Sequence, residues 1–286
     1  MKTPTTSTIN IQDVQAIQLR LKNILFIIDD ICRKHNLRYY LIAGTLLGAQ
    51  RHKGFIPWDD DADIGMPRTD YETFIQNAHF WLPAGYELIH GSNCSDYPYP
   101  FARLQDTQTT YLMRRNFPFI GGIPLDIFPL DGMTTHPVKR WIHYKKYRFY
   151  LKVAYYSFVN PSKHGKGFYR WFTTTCRMLF PPTKIHKILN NIQKEYDYES
   201  SNLIADHDNL PNRGILPKEV YGTPTPILFE GKELMGVEKT DTYLRYCYGE
   251  YMEIPPLNKR PKPNYRYVNT NLPYKQFIDS LNQVIR

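Results

Sequence analysis

Four aspartates, Asp59, Asp60, Asp61 and Asp63, follow directly on Pro57 and Trp58. If residues 61–66 (DADIGM) run extended, side chains alternate between faces. Asp61 and Asp63 then point the same way, and Ala62 and Ile64 turn inward. Two carboxylates on one face repel each other unless a cation lies between them. An all-oxygen donor set suits Mg²⁺ or Mn²⁺, and Mg²⁺ is typically held by one or two carboxylates plus substrate phosphates. Asp59 is a candidate outer ligand, and Asp60 is expected to point away. A solvated acidic turn is the plain alternative, but this run sits between a tryptophan and an apolar strand. The twelve-residue Asp/Asn pattern of a calcium loop is absent. Asp126, between Leu125 and Ile127, adds a third acid in an apolar stretch, where it needs an arginine or a metal to offset its burial. Upstream, Gly44-Thr45 stands between a strand and a helix, where backbone N–H groups can approach a phosphate. Together these residues point to metal-assisted chemistry on a phosphate.

Elements must hold these residues in place. Apolar residues from Ile11 through Ile31 follow helical spacing, which predicts a helix ending near Asn36. Residues 37–42 read as a buried strand. Ala43-Gly44-Thr45 reads as a turn and 46–51 as a short helix that Lys53-Gly54 ends. Pro67 stops the aspartate strand. Thr69 starts a helix with Glu72 as a capping box. Strands are expected at 86–90, 101–112 and 123–130, the last held to a sheet edge or ended by its prolines. Residues 139–187 and 184–198 read as helices, and a helical patch is expected at 240–248. The fold class is α+β, with the sheet in the first half and helices in the second.

The chain has 286 residues, and 36 Lys+Arg against 27 Asp+Glu give a net charge of +9. Its composition is that of a globular protein and excludes a disordered tail. No apolar run reaches the ~20 residues of a membrane-spanning helix. The first ten residues lack the apolar stretch of a secretory leader, and four scattered cysteines suit reduced thiols, so a cytoplasmic location is expected. Between Lys139 and Lys187 there are twelve Lys or Arg and no Asp or Glu, interleaved with aromatic residues. A helical segment wetting its charges would read this way. So would a surface for anionic membrane, and nucleic acid is the weakest reading.

The order strand, Gly-Thr, helix, Asp-x-Asp strand resembles the nucleotidyltransferase superfamily. The match sharpens over residues 43–49 (AGTLLGA), Arg51-His52, 54–64 (GFIPWDDDADI) and 66–72 (MPRTDYE), which closely resemble the LicD family of phosphocholine-type transferases. Residues 123–131 (IPLDIFPLD) are similar to that family's second block. Tyr243-Leu244, 248–252 and 254–256 resemble its C-terminal block, where Asp more often stands at the position of Glu250. The resemblance implies a nucleotidyltransferase-like mixed sheet core with flanking helices. It divides the chain into a catalytic core at about 36–135, a basic-aromatic helical segment at about 136–210, and a Pro-rich segment at about 211–286 that completes the site.

The family's activity implies transfer of a phospho-alcohol, such as phosphocholine, from a CDP-linked donor to a sugar hydroxyl of a lipopolysaccharide, teichoic acid or capsule precursor. Asp61, Asp63 and Asp126 would be catalytic and, with Asp59, would hold Mg²⁺ or Mn²⁺. Asp126 is either a ligand or the base for the hydroxyl. Gly44, Thr45, Arg51, Arg68 and Trp58 would bind the donor, CDP-choline or another CDP-alcohol. His52 reads as a polar loop residue, and His207 as a loop residue with some prospect of substrate contact. The acceptor's residues are open. Peripheral docking at the inner membrane face fits the basic segment. Two other functions carry the same letters. An enzyme that adds NMP to a small molecule or RNA would release pyrophosphate instead of CMP. A non-catalytic basic membrane-binding module would survive loss of Asp61.

Overall fold

A computed structural model describes residues 11–114, 117, 119–159 and 167–285. The first ten residues, and Lys163 and Lys166 of the basic segment, lie outside the described residues.

The first helix, α1 (Ile11–Lys34), buries Ile17, Leu21, Ile24, Leu25 and Ile28, a stripe at helical spacing. Strand β1 (Tyr40–Leu41) is shorter than expected, and helix α2 (Ala43–His52) begins earlier, so Gly44 and Thr45 lie in its first turn. Ala43 enters that helix with φ 48°, and Lys53 ends it in a left-handed conformation. Strand β2 (Asp63–Pro67) runs straight into α3 (Arg68–Trp81). Pro67 occupies the N-cap position with no side-chain cap, so the expected capping box of Thr69 and Glu72 does not form. Glu72 instead pairs with Lys194 at 2.9 Å.

Strands β3 (Tyr86–Ile89), β4 (Ala102–Met113) and β5 (Gly121–Met133) follow. Strand β5 is not an edge strand. It pairs antiparallel with β4 on one side and parallel with β2 on the other. Its prolines fit because of where its neighbours begin and end. Asp126 donates its N–H to Ala62 on the β2 side. Pro124 has the same parity, so its missing N–H faces a position before β2 begins. Pro129 has the opposite parity. It falls between Ile127, where β4 ends, and Leu130, where β6 (Leu203–Asp206) takes over. Neither proline removes a bond that a neighbour could make.

Helices α4 (Pro137–Phe158), α5 (Phe168–Leu179) and α6 (Pro182–Gln193) form a layer beside the sheet. The short α7 (Pro211–Gly214), β7 (Ile215–Pro217) and α8 (Lys218–Tyr221) lead to a hairpin of β8 (Thr225–Phe229) and β9 (Lys232–Gly236). Helix α9 (Thr240–Tyr248), β10 (Tyr265–Asn269) and α10 (Tyr274–Ile285) complete the chain. The main sheet order is β10-β4-β5-β2-β1-β9-β8, with β3 on β4 and β6–β7 extending β5. The fold is therefore mixed α+β, as expected. The sheet is not confined to the first half: β6 to β10 come from the second. No helix among the described residues is long and apolar enough to cross a membrane. The four cysteines are free.

Candidate active site

The β2–β5 pairing puts Asp63 directly opposite Asp126, and Ile64 opposite Ile127. The apolar partners go to the core while the acids share the other face. Asp61, Asp63 and Asp126 all line one cavity of about 350 Å³. A second cavity of about 490 Å³ is lined by Gly44, Arg51, Trp58 and Asp59. The two meet at Asp61, Asp63 and Asn264. A larger cavity of about 680 Å³ opens between α3 and α6 and contains none of the four aspartates.

Electrostatics in this cluster are unfavourable without a cation. Burial pushes the Asp59 carboxyl up to about 6, and the neighbouring Asp60 adds to this. Asp61 is raised well above the usual carboxylate range by burial and by Asp63, Asp59 and Asp60. The close approach of Asp59 and Asp61 pulls their proton affinities apart, lowering the Asp59 carboxyl and raising that of Asp61. Asp63 is raised by burial first, then by Asp126, Asp59, Asp206 and Asp208. Carboxylate oxygens of Asp59, Asp60 and Asp61 lie within 4.8 Å of one another. Crowded carboxylates of this all-oxygen kind are what a hard divalent cation would stabilise. The donor set therefore fits Mg²⁺ or Mn²⁺.

The residues expected at the site divide into three groups. Asp59, Asp61, Asp63, Asp126, Gly44, Arg51 and Trp58 line the cavities. Gly44 is there for space, because a Cβ would sit 2.8 Å from Asp59 Oδ2. Arg51 is fixed by donating to the carbonyls of Tyr251 at 2.9 Å and Glu253 at 3.3 Å. Trp58 carries the Arg260 guanidinium 3.8 Å over its ring. Thr45 has a different place from the one expected. It is buried, and its hydroxyl accepts the Asp63 backbone N–H at 2.8 Å, so it positions β2 and is not on a cavity wall. Arg68 is also displaced from the expected role. Its guanidinium is buried and makes paired bonds of 2.6 and 2.7 Å to Asp131, away from both cavities.

Asp126 has its counter-charge in Arg103, which donates to both carboxylate oxygens at 2.5 and 2.9 Å and stacks 4.1 Å over Tyr99. Each oxygen retains acceptor capacity beyond its bond to Arg103. Asp60 is buried and accepts from Asn264 N at 2.8 Å and Tyr111 Oη at 3.2 Å, but its carboxylate stays within the Asp59–Asp61 cluster and does not turn away from it as expected. The Asn264 amide also donates to Asp61 at 2.7 Å. His207 does not face substrate space. It is buried, 2.9 Å from His143 Nε2, with Nδ1 3.5 Å from Asp131. Its neighbour Asp208 lines the first cavity instead. Arg103, Arg114, Tyr248, Asp208 and Asn264 were not expected. Arg103 carried a local signal, a lone arginine between Ala102 and Leu104 in a strand, and Tyr248 lay in the block that resembles the family's C-terminal one. The others are brought in by long-range folding.

Residues 36–164 match the family model described as LicD/FKTN/FKRP, nucleotidyltransferase domain. The lipopolysaccharide cholinephosphotransferase LicD of Haemophilus influenzae is 29% identical over 252 residues, covering 84% of this chain and 91% of that protein. An uncharacterized protein of Rickettsia typhi is 27% identical over 174 residues, 58% of this chain and 50% of its own length. One of Rickettsia prowazekii is 51% identical over 41 residues, 14% of this chain and 15% of its own. The family resemblance read from the motifs is borne out.

Proposed function

Because residues 36–164 carry a LicD-family domain, we propose that this protein transfers phosphocholine, or a related phospho-alcohol, from a CDP-linked donor to a sugar hydroxyl of a cell-surface glycan precursor. The similar Haemophilus protein is named for phosphocholine transfer to lipopolysaccharide. The observation that carries the reading is the meeting of two cavities at Asp61 and Asp63, with Asp126 in register beside them. Two substrates thereby have separate approaches to one row of carboxylates.

The cavity lined by Gly44, Arg51 and Trp58 takes the donor. Arg51, on the wall of that cavity, would stabilise the charge of departing CMP. The cavity lined by Asp126, Arg103 and Arg114 admits the acceptor hydroxyl. The hydroxyl oxygen attacks the phosphorus bearing the alcohol, and the bond from that phosphorus to the CMP oxygen breaks. The hydroxyl proton passes to a site carboxylate, for which Asp126 is the candidate. Asp59, Asp61 and Asp63, joined by Asp126 only if another group takes the proton, are the residues that would hold Mg²⁺ or Mn²⁺, which when bound would neutralise charge on the diphosphate.

The test is acceptor-dependent release of CMP from CDP-choline by the purified chain, with CDP-ethanolamine, CDP-ribitol and CDP-glycerol run alongside. Inertness toward all four, together with pyrophosphate release from an NTP, would replace this reading with NMP addition.

A further inference from the structure

Helix α5 is inside out for a helix of a soluble domain. It buries only Thr173 and Cys176, while Phe168, Trp171 and Met178 are 71%, 62% and 74% exposed. An amphipathic surface helix normally turns its large apolar residues to the core. Helix α4 beside it buries His143, Tyr144, Tyr147 and Val153, yet leaves Trp141, Ile142 and Phe149 exposed. The two helices pack together through Tyr156 on Phe172, with ring centroids 5.1 Å apart. Their apolar residues therefore belong to one region of surface. Lys145, Arg148 and Lys152 of α4 and Arg170 and Arg177 of α5 lie among them, and neither helix contains an Asp or Glu. Lys145 Nζ sits 5.5 Å from the Trp141 ring centre, a long side chain laid along an aromatic one.

We propose that the outer face of α4 and α5 docks onto an anionic lipid bilayer. Exposed apolar area of this kind marks an interaction site, and the chemistry selects the partner. A second copy of this face would bring like charges together, because neither α4 nor α5 carries an acid to pair with. Nucleic acid would use the aromatic rings and the charges, but it has no use for Ile142, Met178 and Leu179, which are suited to acyl chains. Lysine and arginine beside such residues meet the phosphates of acidic lipids. The inference is independent of the reaction proposed above. It does connect with the site's architecture: the inner face of α4 packs through His143 and Tyr144 on the segment that carries Asp208 into the first cavity.

The experiment is co-sedimentation of the full chain with vesicles of phosphatidylcholine alone or with added phosphatidylglycerol. Binding is expected only to the anionic vesicles at low salt, fading as salt rises. The pair Phe168→Ser with Trp171→Ser should weaken binding at least about tenfold by removing the inserted area. The pair Lys145→Glu with Arg148→Glu should do so by a similar factor through charge. Both variants should keep the wild-type melting temperature. No partition at low salt, or partition indifferent to both pairs, would overturn the proposal. Tight oligonucleotide binding lost only in the charge pair would assign the face to nucleic acid. Concentration-dependent dimerisation lost in the apolar pair would assign it to self-association.

Discussion

Asp63 is the residue whose replacement separates chemistry from stability. Its carboxyl is opposed by burial and by Asp126, Asp59, Asp206 and Asp208, so the fold gains nothing from its charge. Asp63→Asn should lower CMP release by at least about a hundredfold while leaving the melting temperature equal or higher. A variant that loses stability but keeps turnover would contradict the site. Arg103, unlike Asp63, also contributes to stability. It holds both oxygens of Asp126 in a pair with side chains 5% and 15% exposed. Arg103→Met should destabilise by about 2–3 kcal/mol, below the ~3–5 of a fully buried pair because Asp126 keeps some solvent. Adding Asp126→Asn to Arg103→Met should recover part of the loss, and urea unfolding of the two single variants and the double variant measures it. Strictly additive losses would mean that the bridge stabilises nothing.

At the scale of elements, periodicity located α1 because its buried Ile17, Leu21, Ile24 and Ile28 recur at helical spacing. Two features escaped it. The capping box at Thr69 failed because Pro67 already sets the entry to α3 from the N-cap position, two residues earlier. The prolines of β5 pointed to an edge, since parity against neighbouring strands is a property of the assembled sheet. The His143–His207 contact belongs here too, joining α4 to the segment after β6. Burial and the His207 charge lower His143 from its usual 6.5 to about 4. Glu195, 3.4 Å from Nδ1, does not reverse this. Below pH 6.5 the unfolded chain takes up a proton that the folded chain refuses. This group's contribution to stability is therefore present above pH 6.5 and lost as pH falls toward about 4. His143→Asn should show a smaller fall in melting temperature between pH 7 and pH 5 than the wild type. Identical slopes would place the acid sensitivity elsewhere.

At the scale of the whole molecule, the aspartate row and Gly44 were legible because they lie in one stretch, and Asp126 because an acid among apolar residues stands out. Asn264 was not legible. It precedes β10, and it reaches Asp60 and Asp61 only because β10 pairs with β4 across the sheet. The same assembly gathers the negative charge that makes the cluster costly by itself. A divalent cation that binds the folded chain, where the carboxylates converge, and not the unfolded one, where they are dispersed, must raise stability by mass action. Mg²⁺ should therefore raise the melting temperature by about 2–4 °C for each kcal/mol of linkage, a relation that holds for chains of this general size. The shift should vanish in Asp61→Asn and Asp63→Asn, and Asn264→Ala should leave it smaller by loosening Asp61. Scanning calorimetry with and without Mg²⁺ reads this with no substrate present, so the outcome does not depend on which alcohol the donor carries. Equal shifts in wild type and both aspartate variants would move the cation to another part of the surface and leave the aspartate row without a metal.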